Sequence, residues 1–435
     1  MSEVTPLTPG PSPTQAGRGE SATTRRNPQP PAQPHPLAPS PWGEGEKDAL
    51  GAGARHALPL QTAPSSTEDR VAGPDAPLPA YMGEGQNAVR GEGPEALLHA
   101  LVATPSLSGE EGDAARLLVD WMAAHGYDSA YVDESGSAVG VIGSGPRTVV
   151  LLGHIDTFPG VVPVRVEGRL LYGRGAVDAK GPLCAFAAAA SQATLPPDLR
   201  VVVIGATEEE ARSSRGARHA LTQWQPDACL IGEPSQWDRI TLGYKGRLIL
   251  HWRWRGPLAH SASEVATPAE RAVAFWERAR NYTEAFNSGR EGAFVRLDAA
   301  LQEIYSGRDG AYGWAEAEIG FRLPPGVDPH ELADALAPGD DAQVEASGHE
   351  LAHVAGRDTA VSRALRGAIR AQGGQPRFVH KTGTSDMNVV GPVWYCPIAA
   401  YGPGDSALDH TPDEHIDLDE YQRAIAVLAD ALGRL

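Results

Sequence analysis

Hydrophobic and polar positions change period several times along the chain, and each change marks an element. Residues 94–103 and 112–125 carry apolar side chains at helical spacing. β-rich runs follow at 138–142 (AVGVI) and 147–152 (RTVVLL), then an alanine-rich helix after Gly181, a wholly apolar strand at 200–206, a helix at 214–223 and a second apolar strand at 228–232. Strands without alternation are covered on both faces, and strands that alternate with helices build a largely parallel sheet. Residues 240–256 (ITLGYKGRLILHWRWRG) alternate polar with apolar instead, as a half-solvated antiparallel strand does. A helix at 268–286, an alternating strand at 314–322, a helix after Val327 and a strand near 342–354 continue that region. From Thr359 the first pattern returns, with a helix at 359–372, a strand at 396–401 and a last helix at 418–434. The expected fold class is α/β: a mixed, largely parallel sheet interrupted by a smaller α+β insert, with no internal repeat.

The first part of the chain is different. Sixteen of the 37 prolines lie in residues 1–80, without a period of 3.6 or 2. Such a stretch cannot bury enough apolar surface to offset chain entropy, so residues 1–91 are expected to be a disordered, Pro-rich tail. A Pro-rich recognition ligand is the alternative reading, and Met82 is a candidate start of the natural protein. A net charge of −18 argues against a general nucleic-acid binder, which needs a basic face. No run approaches about 20 apolar residues, so a membrane-spanning helix is not expected. No charged-then-apolar leader opens the chain. The three cysteines, Cys184, Cys229 and Cys396, are far apart and form neither a disulfide framework nor a CxxC site, which fits a reducing cytoplasm.

The informative polar residues sit just past the C-terminal ends of the apolar strands, where open α/β sheets bind ligands. LLGHIDT places His154 and Asp156 there; a histidine is a common metal ligand and a carboxylate nearby can orient its ring. GRGAVDAKGP places Asp178 before the alanine-rich helix, where it reads as an N-cap or as a ligand. VVVIGATEEEARSSRGA ends an apolar strand in Glu208, Glu209 and Glu210, which read as a solvated turn or as a ligand beside a proton-transfer group. LIGEPS adds Glu233, and LDHTPDEHI adds His410, Glu414 and His415. Together they supply the inventory of a two-metal hydrolytic site: one histidine and one carboxylate per ion, plus a bridging carboxylate. Mixed N/O ligands suit Zn²⁺ or Co²⁺ better than Mg²⁺ or Ca²⁺. A free glutamate then serves as general base to water.

GHIDT, GRGAVDAKG, ATEEEA, GEPS and DHTPDEH, in this order, resemble the co-catalytic zinc deacylases and exopeptidases, among them acetylornithine deacetylase, succinyl-diaminopimelate desuccinylase and glutamate carboxypeptidase. The resemblance spans about residues 92–435. It implies two divalent ions, Zn²⁺ with Co²⁺ as the alternative. His154, Asp178, Glu210, Glu233 and His410 are then the ligands, with Asp178 shared. Asp156 orients His154, and Glu209 is the general base. The three consecutive glutamates allow a one-residue shift in that last assignment. The family tends to have a cis peptide bond after the bridging aspartate, here Asp178–Ala179. Residues 92–243 and 357–435 match the family's catalytic domain, and residues 244–356 match its lid, which also forms a homodimer interface. His260 then reaches into the partner's site to stabilise the oxyanion, and Arg322 grips a substrate carboxylate.

The segment KTGTSDMN departs from the common Gly-Gly-x-x-Asp-x-Arg pattern, with Asn388 in place of the arginine. With ATEEEARSSRGAR, GEPSQWDRITLGYKGR and YGPGDSALDHTPDEH it looks most like the amino-group-carrier-protein hydrolases. Those cleave the amide joining lysine or ornithine to the C-terminal glutamate side chain of a small acidic carrier, LysW. Lys245, Arg247, Thr384 and Ser385 join Arg322 as expected substrate-binding residues. The basic residues Arg212, Arg215, Arg218, Lys245, Arg247, Arg253 and Arg255 cluster in sequence near the site, and a local positive field would steer an acidic macromolecule. The alternatives are a deacylase of small N-acyl amino acids, a metallo-carboxypeptidase, or a metal-free binding protein on the same architecture.

Overall fold

The computed structural model describes residues 92–435, apart from 261, 338 and 340. The expected tail, residues 1–91, lies outside the described residues. A mixed sheet is built from nine strands. Its centre is the strand Arg147–His154, which runs parallel both to Leu199–Ala206 and to Ala228–Gly232. Ile398–Ala400 extends the parallel set, while Ser129–Val132, Ala138–Ile142, Arg239–Tyr244 and His353–Val354 bring antiparallel pairings. Arg147–His154 and Leu199–Ala206 are buried almost throughout, as their unalternated sequences require. The alanine-rich helix Lys180–Gln192 packs into the same core, where Ala185, Ala187, Ala188, Ala189 and Ala190 are fully buried.

The second sheet has four antiparallel strands: Asp298–Asp309, Tyr312–Leu323, Gly246–Pro257 and Gln343–Glu350. Its separate core joins Leu248, Leu250, Trp252 and Trp254 to Phe275 on the helix Pro268–Asn287 and to Ile319 and Phe321. Tyr312–Leu323 buries alternate residues, the pattern its sequence shows. Helix Pro268–Asn287 starts on a capping box between Thr267 and Glu270.

Sequence expectations change at three places. The strand expected near 342–354 divides into Gln343–Glu350 in the four-stranded sheet and His353–Val354 in the nine-stranded one, a strand that the pattern did not mark forms at Asp298–Asp309, and the alternating run 240–256 also divides. Residues 240–256 form two strands, not one. Arg239–Tyr244 belongs to the nine-stranded sheet and Gly246–Pro257 to the four-stranded one. The crossing requires Gly246, because a Cβ there would lie 2.2 Å from the Glu350 carbonyl oxygen. Asp298–Asp309 also pairs as a long strand, although its sequence reads as polar. It is a mostly exposed strand that the backbone pairing holds, with Ala299 and Leu301 packed on the core of the insert. Among the described residues no helix is long and apolar enough to cross a membrane, and all three cysteines are free thiols.

Candidate metal centre

Register brings the polar residues together. His154 lies opposite Ala206, and Gly153 opposite Gly232. The chain segments that follow, 208–210 and 233, therefore leave the sheet at the edge where His154 stands. Asp178 reaches the same edge just before helix Lys180–Gln192. The N-cap of that helix is Ala179, without a side-chain cap, so Asp178 is not spent on capping. The Asp178–Ala179 peptide bond is cis.

Two groups of potential ligands result. His154, Asp178 and Glu233 form one, and Asp178, Glu210 and His410 the other; within each, one donor atom per residue lies within 4.8 Å of the others. Asp178 faces both. Its Oδ1 is 3.2 Å from His154 Nε2, and its Oδ2 is 3.2 Å from His410 Nε2. His154 Nε2 lies 3.9 Å from Glu233, and His410 Nε2 lies 3.2 Å from Glu210. Each group thus offers one imidazole nitrogen and carboxylate oxygens, a donor set that fits Zn²⁺ or a similar ion. The carboxylate of Glu209 lies 4.0 Å from His154 Nε2 but belongs to neither group.

Asp156 does more than orient a ring. Its Oδ1 is 3.4 Å from His154 Nδ1, which lies closer still, at 3.1 Å, to the Asp156 carbonyl oxygen. The same carboxylate accepts hydrogen bonds from the backbone N–H groups of Glu209 (3.1 Å) and Glu210 (3.0 Å) and from the Ser108 hydroxyl (2.7 Å). One buried aspartate therefore fixes the histidine and the glutamate turn together. Glu208 turns away with a φ of +59°; its carboxylate accepts from Ser213 and pairs with Arg215.

Electrostatics follow from this crowding. Burial disfavours charge on His154, yet its hydrogen bonds to Asp156 and Asp178 prevail and hold its pKa well above the ordinary value. Hydrogen bonds to the carboxylates of Asp178 and Glu210 push His410 up to about 10. Burial raises the pKa of Glu209 well above the carboxylate range; Glu233, Asp386 and Glu210 add to that and His154 opposes it. Burial and neighbouring carboxylates likewise push the Tyr244 phenol up.

Supporting residues were only partly legible. Glu414 is fully buried; it accepts from the N–H groups of Val177 (3.0 Å) and Asp178 (3.1 Å) and pairs with Arg174 at 2.7 Å. The acid two residues after Thr-Pro was its sequence signal. His415 takes no part, its ring packing on Tyr172 instead. The Phe158 ring stacks on His410 at a centroid distance of 4.0 Å, and nothing in the sequence marked it.

Among the expected substrate residues, Arg247, Arg322, Thr384 and Ser385 line the cleft over the two groups. Arg322 Nη1 donates to Thr384 Oγ1 at 2.8 Å. Lys245 does not reach the cleft. It is wholly buried, and its ammonium donates to the Arg296 carbonyl and to Asp298. His260 is exposed and lies outside the cleft; its ring accepts a hydrogen bond from the Ala262 N–H and its carbonyl one from the Ser263 N–H. Asn388 is committed to structure: its side chain accepts from the Ser385 N–H and donates to the carbonyls of Lys245 and Leu351. Each cation of the expected positive field faces an acid, Glu350 serving two of them. Arg212, Arg215, Arg218, Lys245, Arg247, Arg253 and Arg255 face Glu318, Glu208, Glu350, Asp298, Glu350, Glu345 and Asp309 in turn. All of these acids but Glu208 lie tens of residues away from their cations, which a reading along the chain does not see.

Known proteins share the sequence and fold of this chain. The chain is 53% identical over 350 residues to a LysW-lysine hydrolase of Deinococcus radiodurans, covering 78% of this chain and 96% of that one. It superposes with a TM-score of 0.64 and 18% identity on an M20 family metallo-carboxypeptidase, Sso-CP2, of Sulfolobus solfataricus, covering 78% and 98% of the two chains. Residues 150–434 match the sequence profile of peptidase family M20/M25/M40, and the chain belongs to that family.

Proposed function

We propose that this protein hydrolyses the amide that joins lysine to the C-terminal glutamate side chain of an acidic amino-group carrier protein, LysW, releasing the free amino acid. The observation that carries the reading is Asp178, whose two oxygens each face a histidine–carboxylate pair, in a chain 53% identical to a LysW-lysine hydrolase.

His154, Asp178 and Glu233 would hold one divalent ion, and Asp178, Glu210 and His410 the other, zinc being the ion best matched to these donors. Such ions supply Lewis-acid polarisation of the amide carbonyl and acidify the attacking water. Glu209 is left free to take the proton from that water as its oxygen bonds to the carbonyl carbon. The same carboxyl then gives the proton to the amine nitrogen as the C–N bond breaks, so Glu209 returns to its starting state. Arg322, held by Thr384, offers its guanidinium to a substrate carboxylate. His260 serves the cleft of a second copy of the chain, in a homodimer, which accounts for its exposure and its distance from its own site. Residues 244–356 act as lid and dimer interface.

The test is an assay of free lysine released from the purified carrier conjugate, beside carrier-linked ornithine, N-acetylornithine, N-succinyl-diaminopimelate and dipeptides. Release from the carrier with the largest kcat/KM supports the reading. Faster turnover of a small N-acyl amino acid or a dipeptide replaces it with that activity.

A further inference from the structure

Four tyrosines are buried among the described residues: Tyr127, Tyr244, Tyr401 and Tyr421. Three of them place the hydroxyl against a backbone carbonyl. Tyr127 donates to Ala187 O at 2.9 Å, Tyr401 to Trp237 O at 2.6 Å and Tyr421 to Pro94 O at 3.0 Å. Tyr244 is the exception. It is 3% exposed, and its buried hydroxyl has no hydrogen-bond partner. A buried donor without an acceptor is costly, and native folds keep few of them.

Its place explains the exception. Tyr244 is the last residue of strand Arg239–Tyr244, at the crossing into the four-stranded sheet. It lines the same cleft as Asp178, Glu209 and Glu233. A phenol is protonated at neutral pH, so it is a hydrogen-bond donor there. Asp178 faces both histidines and Glu233 faces His154, and although Glu209 and Asp409 line the same cleft, no acceptor among the described residues lies within hydrogen-bond distance of the hydroxyl. Its acceptor is supplied by what the cleft binds. Hydrolysis of an amide brings one, because the carbonyl oxygen gains negative charge as water adds to the carbon. Donors set in advance toward such an oxygen favour the transition state over the ground state.

We propose that Tyr244 is a further catalytic residue, donating a hydrogen bond from its hydroxyl to the carbonyl oxygen of the scissile amide as the tetrahedral adduct forms. The proposal rests on the hydrolase reading but not on the identity of the substrate. It gives each cleft a donor from its own chain.

Tyr244→Phe removes only the hydroxyl. Steady-state kinetics should be measured on every amide the wild-type enzyme hydrolyses, with metal content, thermal midpoint and the affinity of a phosphinate analogue of the adduct. A fall in kcat of roughly 10²-fold is expected, with KM within about twofold and the analogue weakened in proportion to kcat/KM. Metal content and thermal midpoint should match wild type. An unchanged kcat overturns the proposal. So does a raised KM at constant kcat, which would mark a group that binds substrate and transition state alike. Loss of metal accompanying the loss of rate overturns it too, making Tyr244 a support for the ligands. If wild type spares the carrier conjugate but cleaves another amide, the substrate reading fails while Tyr244 is still judged on that amide.

Discussion

The two ligand groups share Asp178 and differ in how the fold holds the rest. His154 is 1% exposed and ends a strand that is hydrogen-bonded on both sides. Glu233 follows directly on another strand of the same sheet. His410 sits on a loop, its side chain 42% exposed and its backbone at a φ of +59°. Among the described residues, the Phe158 stack and the two carboxylates orient its ring. The first group is thus set by backbone pairing, whereas the second is completed by a loop. Preorganised ligands lose less freedom on binding, so the first group should take its ion more tightly.

Asp178→Ala attacks what the groups share and should have the largest effect. Turnover should vanish, and metal analysis should show both ions lost or strongly weakened. A variant that kept two tight ions would mean the groups do not depend on a common ligand. Glu209→Gln leaves both groups intact. Here kcat should fall by about 10²–10⁴-fold while metal content stays near that of wild type; loss of an ion instead would move the general-base role to a neighbouring glutamate. His410→Ala and His154→Ala sharpen the contrast. The His410 variant should retain one ion per chain under dialysis and the His154 variant less than that, as read by metal content after graded exposure to a chelator. The smallest effect belongs to Phe158→Ala. Stacking of this kind is worth about 0.5–1.5 kcal/mol, so the dissociation constant of the weaker ion should rise about 2- to 10-fold while the tighter one is unmoved. Calorimetric titration of the metal-free protein would resolve the two.

Legibility in the sequence followed the physics of each element. Strand ends announced themselves where an apolar run stopped at His154, Glu208 or Glu233, because a buried strand tolerates such residues only at its edge. The sheet insert was legible from its alternation, but the break at Lys245 was not. Both halves of 240–256 alternate, and only the meeting of Gly246 with the Glu350 carbonyl shows where the chain changes sheets. The basic cluster misled for a related reason: all but one of its acidic partners lie tens of residues away along the chain.

The sequence by itself determined the periodicity that builds two sheets, the order of the ligand types and their place at strand ends, since these depend on neighbours along the chain. Tertiary structure alone decided that Asp178 faces both histidines and that Asp156 holds the turn carrying Glu209 and Glu210. It also decided that Lys245 and Asn388 serve the scaffold, and that the Tyr244 hydroxyl has no acceptor within the protein. Those facts arise from strand register and from side chains that meet across long stretches of chain, and no local pattern encodes them.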